Sequence, residues 1–524
     1  MIPDQDIEAD SGSSYRGPSP AKLERLGRQR PKVFQSTAQE ILFCTSMLLA
    51  QIMSEYFISG FNIFLPQLTD EMQIPDRAQV WPSSVFALVA GAFLLPFGRL
   101  SDIFGGYVVF TGGMAWYCVW TLACGFSADY KMLIACRALQ GLGAAAYMPA
   151  TVMNLGKTYR PGPRKNLVFG LYGACAPLGF YFGILIAGIS NDLLSWRWYF
   201  WIAAIAMFVI CIGGLLSIPK DVPAKITGNM DYWGVLTIVP PLVLIVYGIT
   251  DGAYAPDGWR TGYIIASLVV GVLLLGVATY VEGWVSTEPL LPGSMFKPRH
   301  MKTLVVALMF AYGTWGVFMY YSSFYLINVM GYSTLQTALA FTPMVVGGII
   351  IASVGGFTLH LLPGRLLMVI SGLGFILSVL MFALLPVGGS YWAYVLPSMI
   401  GSTVGIDITY NVSNVFITTN IPLRHQGAAG ALINSLFFFP VSLFLGVADV
   451  VSAEYADQGQ RTSYKAALWF GTGCAAAALL LFCFIDPGKA VSQLRAEEKE
   501  EQDQHTAAQP RGGDTSCVVL NKAS

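Results

Sequence analysis

Charged residues are scarce in this chain of 524 residues. Asp, Glu, Lys and Arg make up 11% of it, against about 25% in a soluble domain, and the mean hydropathy is +0.59. This scarcity excludes an ordinary soluble protein and indicates a chain that lies largely in a membrane. The 30 basic and 30 acidic residues balance, so no basic surface indicates binding to nucleic acid.

Residues suited to metal binding or covalent chemistry are also few. The four histidines are scattered without ligand spacing, and eight of the nine cysteines fall within apolar runs, which favours small buried side chains over disulfides. The sequence also shows no Ser/His/Asp set placed for a membrane interface and no phosphate-binding glycine loop followed by a lysine. We therefore predict no metal, no cofactor and no enzymatic activity.

Long apolar runs, in contrast, are abundant. A membrane-spanning helix needs about 20 mainly apolar residues. Fourteen windows meet this requirement: 40–65, 81–98, 107–126, 132–154, 167–189, 198–217, 232–250, 261–281, 303–328, 335–358, 366–387, 391–418, 428–449 and 464–485. The sequence thus predicts an all-α membrane protein with fourteen transmembrane helices.

The distribution of basic residues predicts the orientation of these helices. An even number of spans places both termini on one side of the membrane. The loops on that side hold twelve Lys and Arg residues, and the opposite loops hold six. Because cytoplasmic loops carry the excess of basic residues, we predict that both termini are cytoplasmic.

A weak internal repeat predicts the domain organisation. At an offset of 258 residues, Gly98, Asp102 and Gly106 align with Gly356, His360 and Gly364, so the two glycines are repeated. Repeated halves around a midplane site are typical of alternating-access transporters. We predict a disordered cytoplasmic tail, a six-helix bundle, a linker with two extra helices, a second six-helix bundle and a second disordered cytoplasmic tail, over residues 1–38, 39–218, 219–301, 302–486 and 487–524.

Three charged residues lie deep within predicted spans, namely Glu55, Arg137 and Asp407. Polar residues at helical spacing share their faces, and span 9 carries a further polar stripe. Such stripes cannot face lipid, so we predict that they line one water-accessible cavity. The predicted cavity residues are Gln51, Asn62, Gln140, Tyr321, Tyr325, Asn328, Tyr410, Asn411 and Asn414.

Two of the deep charges, Arg137 and Glu55, each admit two interpretations. Arg137 either bridges helices by binding backbone carbonyls or takes part in a transport cycle. Glu55 is either the ion-pair partner of Arg137 or a proton carrier. Asp407 has no cationic partner within its half, and a low dielectric disfavours its charged form, so we predict that it loads and releases a proton. The cavity tyrosines and asparagines either bind substrate or form interhelical packing contacts.

Two motifs resemble signatures of the major facilitator superfamily. The segment "GRLSDIFGG" resembles the signature between spans 2 and 3 at Gly98, Leu100, Asp102 and Gly105, and "RALQGLGAAA" resembles the span 4 signature at Arg137, Gln140, Gly141 and Gly143. Span 5 loosely resembles the antiporter signature around Pro177. The chain is identified as a member of the fourteen-span drug:proton antiporter branch and resembles fungal efflux proteins of the aminotriazole-resistance type.

The resemblance implies a function for several of these residues. It links Arg137 to proton coupling, and it implies that Gly98, Asp102, Gly105, Gly141 and Pro177 form the conformational signature. The chain departs from the family pattern at Ile103, Gly106 and Tyr107, where basic residues are usual, and at Phe57, which occupies the usual acidic position of span 1. Glu55 therefore does not simply inherit the role of that acidic residue.

These observations predict a secondary active transporter that exports small organic compounds, such as drugs, toxins or metabolites, in exchange for protons. Two alternatives remain open. One is an importer or facilitator of a small polar solute such as ammonium, borate or an amino acid, and the other is a membrane sensor that does not transport. The predicted partners are a small-molecule substrate, protons and the lipid bilayer. We expect a monomer in the plasma membrane, with the vacuolar membrane as the alternative.

Overall fold

The apolar runs form α-helices, because a backbone in lipid must satisfy its hydrogen bonds within its own segment. The computed structural model describes residues 29–159, 163–220, 229–358, 362–421 and 426–486, and these residues contain no strand. The described residues form sixteen α-helices: α1 (Thr37–Ser59), α2 (Phe61–Glu71), α3 (Trp81–Phe104), α4 (Gly106–Gly125), α5 (Tyr130–Thr158), α6 (Pro163–Ile189), α7 (Trp196–Ser217), α8 (Tyr232–Gly252), α9 (Gly262–Tyr280), α10 (Met301–Phe324), α11 (Thr334–Ala340), α12 (Thr342–Thr358), α13 (Gly364–Leu384), α14 (Leu396–Asn420), α15 (Gln426–Glu454) and α16 (Gln460–Phe484).

Twelve helical stretches in the described part of the chain are long and apolar enough to cross a membrane. They match twelve of the fourteen predicted windows. The other two windows correspond to α5 and α14, which carry Arg137 and Asp407 among other polar residues and so lack the same apolar character. The all-helical membrane fold is confirmed, and the number of fourteen spans stays a prediction.

The helices pack as two bundles with an extra pair between them. Helices α1 to α7 pack against one another, and so do α10 to α16. The bundles meet where α3 packs against α15, where α6 packs against α11 and α12, and where α2 packs against α10. Helices α8 and α9 form a hairpin, and α8 packs on both α3 and α15. The hairpin therefore touches both bundles at their junction.

The chain passes from α1 to α2 at Gly60, and α6 approaches this junction closely. A Cβ atom at Gly60 would lie 2.2 Å from the backbone oxygen of Gly183, and one at Gly183 would lie 2.5 Å from that of Tyr56. Ser59 Oγ donates a hydrogen bond to the backbone oxygen of Phe180 at 2.9 Å. Small residues at this crossing thus allow the two backbones to pack in direct contact.

We expect Gly183→Ala to lower the free energy of unfolding by about 1–3 kcal/mol, because the added methyl group meets backbone atoms that cannot rotate away. Thermal unfolding of the purified protein in detergent measures the effect. Gly173→Ala is a matched control on the same helix, since a Cβ there meets nothing within 4 Å. Equal melting temperatures for the two variants would show that the close approach of α1 and α6 does not stabilise the fold.

Candidate transport site

Glu55 and Asp407 face the same interior region from opposite bundles. Glu55 lies on α1 and Asp407 on α14, and both are only partly buried although they lie well inside their helices. The charge of Asp407 acts on the Glu55 carboxyl. Gln51 Nε2 donates a hydrogen bond to Glu55 Oε1 at 3.2 Å. The structure thus brings together two of the three deep charges.

Helix α6 runs beside both carboxyl groups. A Cβ at Gly179 would lie 3.0 Å from Glu55 Cβ. On α12, a Cβ at Gly348 would lie 3.1 Å from Asp407 Oδ2 and 3.3 Å from Pro177 Cβ. One short segment of α6, which contains Pro177 and Gly179, therefore lies close to both acids. A shift of this segment would change both environments together.

Aromatic residues surround the two acids. The hydroxyl groups of Tyr147, Tyr172 and Tyr410 lie within electrostatic reach of Glu55. The ring of Tyr410 lies 6.4 Å from that of Phe437, which packs against Tyr312 and Trp315 with centroids 5.2 and 5.4 Å away. An aromatic surface with two carboxyl groups suits an amphipathic or cationic organic molecule.

Arg137 lies apart from the two acids. Its side chain is 1% exposed and is enclosed within the N-terminal bundle. Its Nε donates to the backbone oxygen of Pro82 at 3.1 Å, and its Nη1 donates to Gln140 Oε1 at 2.8 Å. The guanidinium carbon lies 4.1 Å from the ring centroid of Phe61 and 4.6 Å from that of Phe86. No ion pair joins it to a carboxylate of the described residues, Glu55 included, and a backbone carbonyl is among its partners.

The other residues predicted to line the cavity fall in several places. Tyr410, Asn411 and Asn414 are partly exposed on α14, and Asn411 Nδ2 donates to the backbone oxygen of Asp407 at 2.8 Å. Asn62 is buried and accepts a hydrogen bond from Ser83 Oγ at 2.6 Å. Gln140 is buried beside Arg137 and donates to Thr121 Oγ1 at 2.8 Å.

The polar stripe of α10 and the turn after it lies outside the region of the two acids. Tyr321 and Tyr325 are at most 1% exposed, and Tyr325 Oη donates to the backbone oxygen of Leu385 at 2.6 Å. Asn328 is exposed and donates to Tyr464 Oη at 3.1 Å. The structure therefore does not bring this stripe to Glu55 and Asp407.

The residues of the conformational signature lie at helix crossings and ends. A Cβ at Gly98 would lie 3.2 Å from Ala431 Cβ of the other bundle, and one at Gly141 would lie 2.7 Å from the backbone oxygen of Phe86. Gly105 ends α3 with a φ of 88°, a conformation that favours glycine. Asp102 is partly exposed in the last turn of α3, within reach of the charges of Arg99 and Lys157. In the second copy of the repeat, the His360 position lies outside the described residues.

Two ion pairs were not predicted from the sequence. Arg99, next to Gly98, pairs with Glu288 and also donates to the backbone oxygen of Asn229 at 3.3 Å. The Arg164 Nη2 atom lies 2.6 Å from Glu40 Oε2. The partners in each pair are far apart in the chain, so helical spacing carries no signal for either of them.

A third deep acid, Asp449, was also missed. The window that ends at residue 449 placed it at a membrane boundary, whereas α15 continues to Glu454 and buries Asp449 to 7% exposure. A single carboxyl in the apolar run "FLGVADVVSA" was the signal that could have identified it.

Hydrogen bonds join the bundles at one end, where α2 and α6 end and α11 begins. Asn191 donates to Gln67 and, at 2.9 Å, to Thr334 Oγ1, which in turn donates to Gln67 Oε1 at 2.7 Å. Asp192 Oδ2 accepts from the backbone nitrogen of Leu335 at 3.0 Å. We call this set of residues the end joint. It ties the two bundles together at that end.

The paired bundles, the deep acids and the aromatic interior define a membrane transporter. Residues 47–447 match the sequence pattern of the Major Facilitator Superfamily, and the chain belongs to this family. It is therefore an integral, multi-pass membrane protein and a transporter.

Three fungal relatives cover most of the chain. The efflux pump terJ of Aspergillus terreus is 29% identical over 91% of this chain and 92% of its own length. The low affinity ammonium transporter of Saccharomyces cerevisiae is 31% identical over 85% of this chain and 87% of its own length. The aminotriazole resistance protein of the same yeast is 30% identical over 91% and 89%. The predicted resemblance to proteins of the aminotriazole-resistance type is confirmed.

A solved structure supports the fold. The crystal structure of the peptide transporter POT matches with a TM-score of 0.63 at 14% identity, and the match covers 90% of this chain and 99% of that protein. At this identity the similarity concerns the fold alone.

Proposed function

We propose that the protein exports small organic compounds in exchange for protons by alternating access. The observation that carries this proposal is the placement of Glu55 and Asp407, one from each bundle, in one interior region lined by aromatic rings. The relatives named as an efflux pump and as a resistance protein favour export over import.

The two carboxyl groups supply a physical basis for coupling. Two carboxylates that face each other in a low dielectric repel, and each proton bound removes part of this repulsion. Bound protons therefore favour the arrangement that brings α1 and α14 together, and a cationic or polar substrate can replace them. A ligand shifts such an equilibrium only by its differential affinity for the two arrangements. Competition between protons and substrate for these two acids gives exchange.

The proposed topology has fourteen spans and both termini in the cytoplasm. Helices α5 and α14 have 29 and 25 residues, about 43 and 37 Å of helix, and each packs inside its own bundle. Their polar residues contact other helices, which explains why their composition alone does not mark them as spans. In this topology the end joint lies on the outer side of the membrane. The two bundles are therefore closed toward the outer solution. We further propose a monomer in the plasma membrane.

A second candidate function is the uptake of a small solute such as ammonium. The relative named as a low affinity ammonium transporter favours this alternative. The direction of net movement separates the two functions, because export lowers the substrate content of the cell and uptake raises it.

Expression in a host that lacks its own efflux pumps, screened against a chemical panel, tests the proposal. We expect resistance to a subset of amphipathic organic compounds. A compound identified in this way is then loaded with the purified protein into vesicles that carry a pH gradient, and we expect its movement to follow the gradient and to collapse with a protonophore. An equal transport rate with and without the pH gradient would contradict proton coupling. Uptake of ammonium without any efflux would favour the second candidate function.

A further inference from the structure

A buried acid lies where the α8–α9 hairpin meets the C-terminal bundle. Asp449 is on α15, and one turn before it Gly446 allows close contact with α8: a Cβ there would lie 2.4 Å from Thr250 Oγ1. Tyr254, four residues after Thr250, faces the Asp449 carboxyl. The hairpin therefore covers this acid, and we call the group formed by Asp449, Thr250, Tyr254 and Tyr321 the hairpin acid site.

No cation of the described residues forms an ion pair with Asp449. The charged group that acts on it is Asp76, an acid that precedes α3 in the N-terminal bundle. From α10, Tyr320 and Tyr321 face it, and Tyr464 of α16 stands beside these two tyrosines. An isolated carboxylate in such a place is strongly unfavourable unless it is paired or neutral.

Three buried polar atoms at the hairpin acid site lack a partner with hydrogen-bond geometry among the described residues. They are Asp449 Oδ2, Tyr321 Oη and Thr250 Oγ1. Tyr321 is 1% exposed and Thr250 is 0% exposed. Buried polar atoms are almost always hydrogen-bonded, so these three atoms have capacity for a proton or for further hydrogen bonds. A proton on Asp449 Oδ2 would supply a donor for a hydroxyl oxygen of this group.

The hydroxyl group of Tyr254 is not the group that takes up a proton here. Tyr254 lies in the loop between α8 and α9, and burial, followed by the charge of Asp449, raises its pKa above the ordinary value of a tyrosine. The hydroxyl therefore stays protonated and can only donate a hydrogen bond to the acid. This leaves the carboxyl of Asp449 as the group that gains or loses the proton.

We propose that Asp449 is a second protonation site, separate from Glu55 and Asp407, at the contact between the α8–α9 hairpin and α15. Binding forms one O–H bond on the carboxyl and needs no other reactant. Release leaves a negative charge on Asp449 in addition to that of Asp76, whose carboxyl is exposed, and the repulsion between the two charges favours rebinding of the proton. Asp70 acts on Tyr464, which places the site at the same end of the bundle as the end joint. Only the assignment of this end to the outer solution rests on the proposed topology.

Infrared difference spectroscopy tests the proposal on the full-length protein in lipid vesicles. A step from acid to alkaline pH should remove a protonated-carboxyl C=O band that shifts in deuterium oxide. Because Glu55 and Asp407 can contribute to the same band, we expect Asp449→Asn to lose one component of it, and we expect the band to be unchanged in Asp457→Asn, whose carboxyl is exposed at the same end of α15. A band of undiminished intensity in Asp449→Asn, or an Asp449 component that sodium removes at constant pH, would overturn the proposal.

Labelling of the unmodified protein with an apolar carbodiimide, read by peptide mass spectrometry, provides a test that does not depend on the folding of a variant. Such reagents react with protonated carboxyl groups in apolar surroundings. We expect the modification of Asp449 to increase at least about tenfold as the pH falls through the range in which the infrared band appears. The reason is that the protonated fraction of an acid above its pKa changes about tenfold per pH unit. A lack of labelling at Asp449 at every pH would contradict the proposal. Neither test needs a transported compound, so their outcome is independent of the proposed export.

Discussion

Asp407→Asn is expected to reduce transport driven by a pH gradient by about 100-fold, while substrate still exchanges for substrate across the membrane. Coupling between two sites is typically worth about 1–3 kcal/mol, or about 5- to 150-fold, and the amide keeps the shape of the acid but cannot carry its proton. The variant removes the charge that acts on Glu55, so binding no longer competes with protonation at this position. Flux in reconstituted vesicles, measured with and without the gradient, gives the ratio.

Two variants on the same helix provide controls. Asp407→Glu keeps a carboxyl group and should retain part of the driven transport. Asn414→Ala alters a partly exposed residue two turns away and should leave the ratio of driven to undriven flux unchanged. Undiminished driven flux in Asp407→Asn would exclude Asp407 from the coupling mechanism.

The sequence was sufficient to locate the helices and two of the acids. Apolar runs of the length of a bilayer leave few alternatives to helices, and a carboxyl in the middle of such a run must face the interior of the protein. This reasoning alone predicts that Glu55 and Asp407 lie on inward faces of their helices. Helical periodicity gives the face of a helix, and it says nothing about which other helix that face meets.

Arg137 shows the limit of that reasoning. The spacing of Arg137 and Gln140 predicted that the two residues share a helix face, and they do form a hydrogen bond. Its remaining surroundings, however, come from α2 and α3, which the periodicity of α5 cannot indicate. The ion pair between Arg99 and Glu288 and the burial of Asp449 under the hairpin depend in the same way on how separate segments pack.

The position of Arg137 explains why an unpaired arginine persists inside the protein. One side of its guanidinium group meets Phe61 on α2, just beyond the Gly60 junction, and it also binds the start of α3 through Pro82. Cation–π contacts in a desolvated setting are worth about 2 kcal/mol. The arginine thus ties together three segments that belong to different helices, and any movement of α2 relative to α1 changes its contacts.

We expect Arg137→Ala to lower the free energy of unfolding by about 3 kcal/mol or more, because it opens a cavity and leaves buried acceptors at Pro82 and Gln140 without a charged donor. We expect Arg137→Lys to keep the charge but to lose the planar contacts with Phe61 and Phe86, with a smaller loss of stability. Thermal unfolding and driven flux are measured on the same preparations. Arg137→Met, which fills a similar volume without charge, separates the two roles. If that variant is folded but its driven flux falls about tenfold or more, the charge acts in the transport cycle; if both stability and flux match the original protein, Arg137 serves neither role.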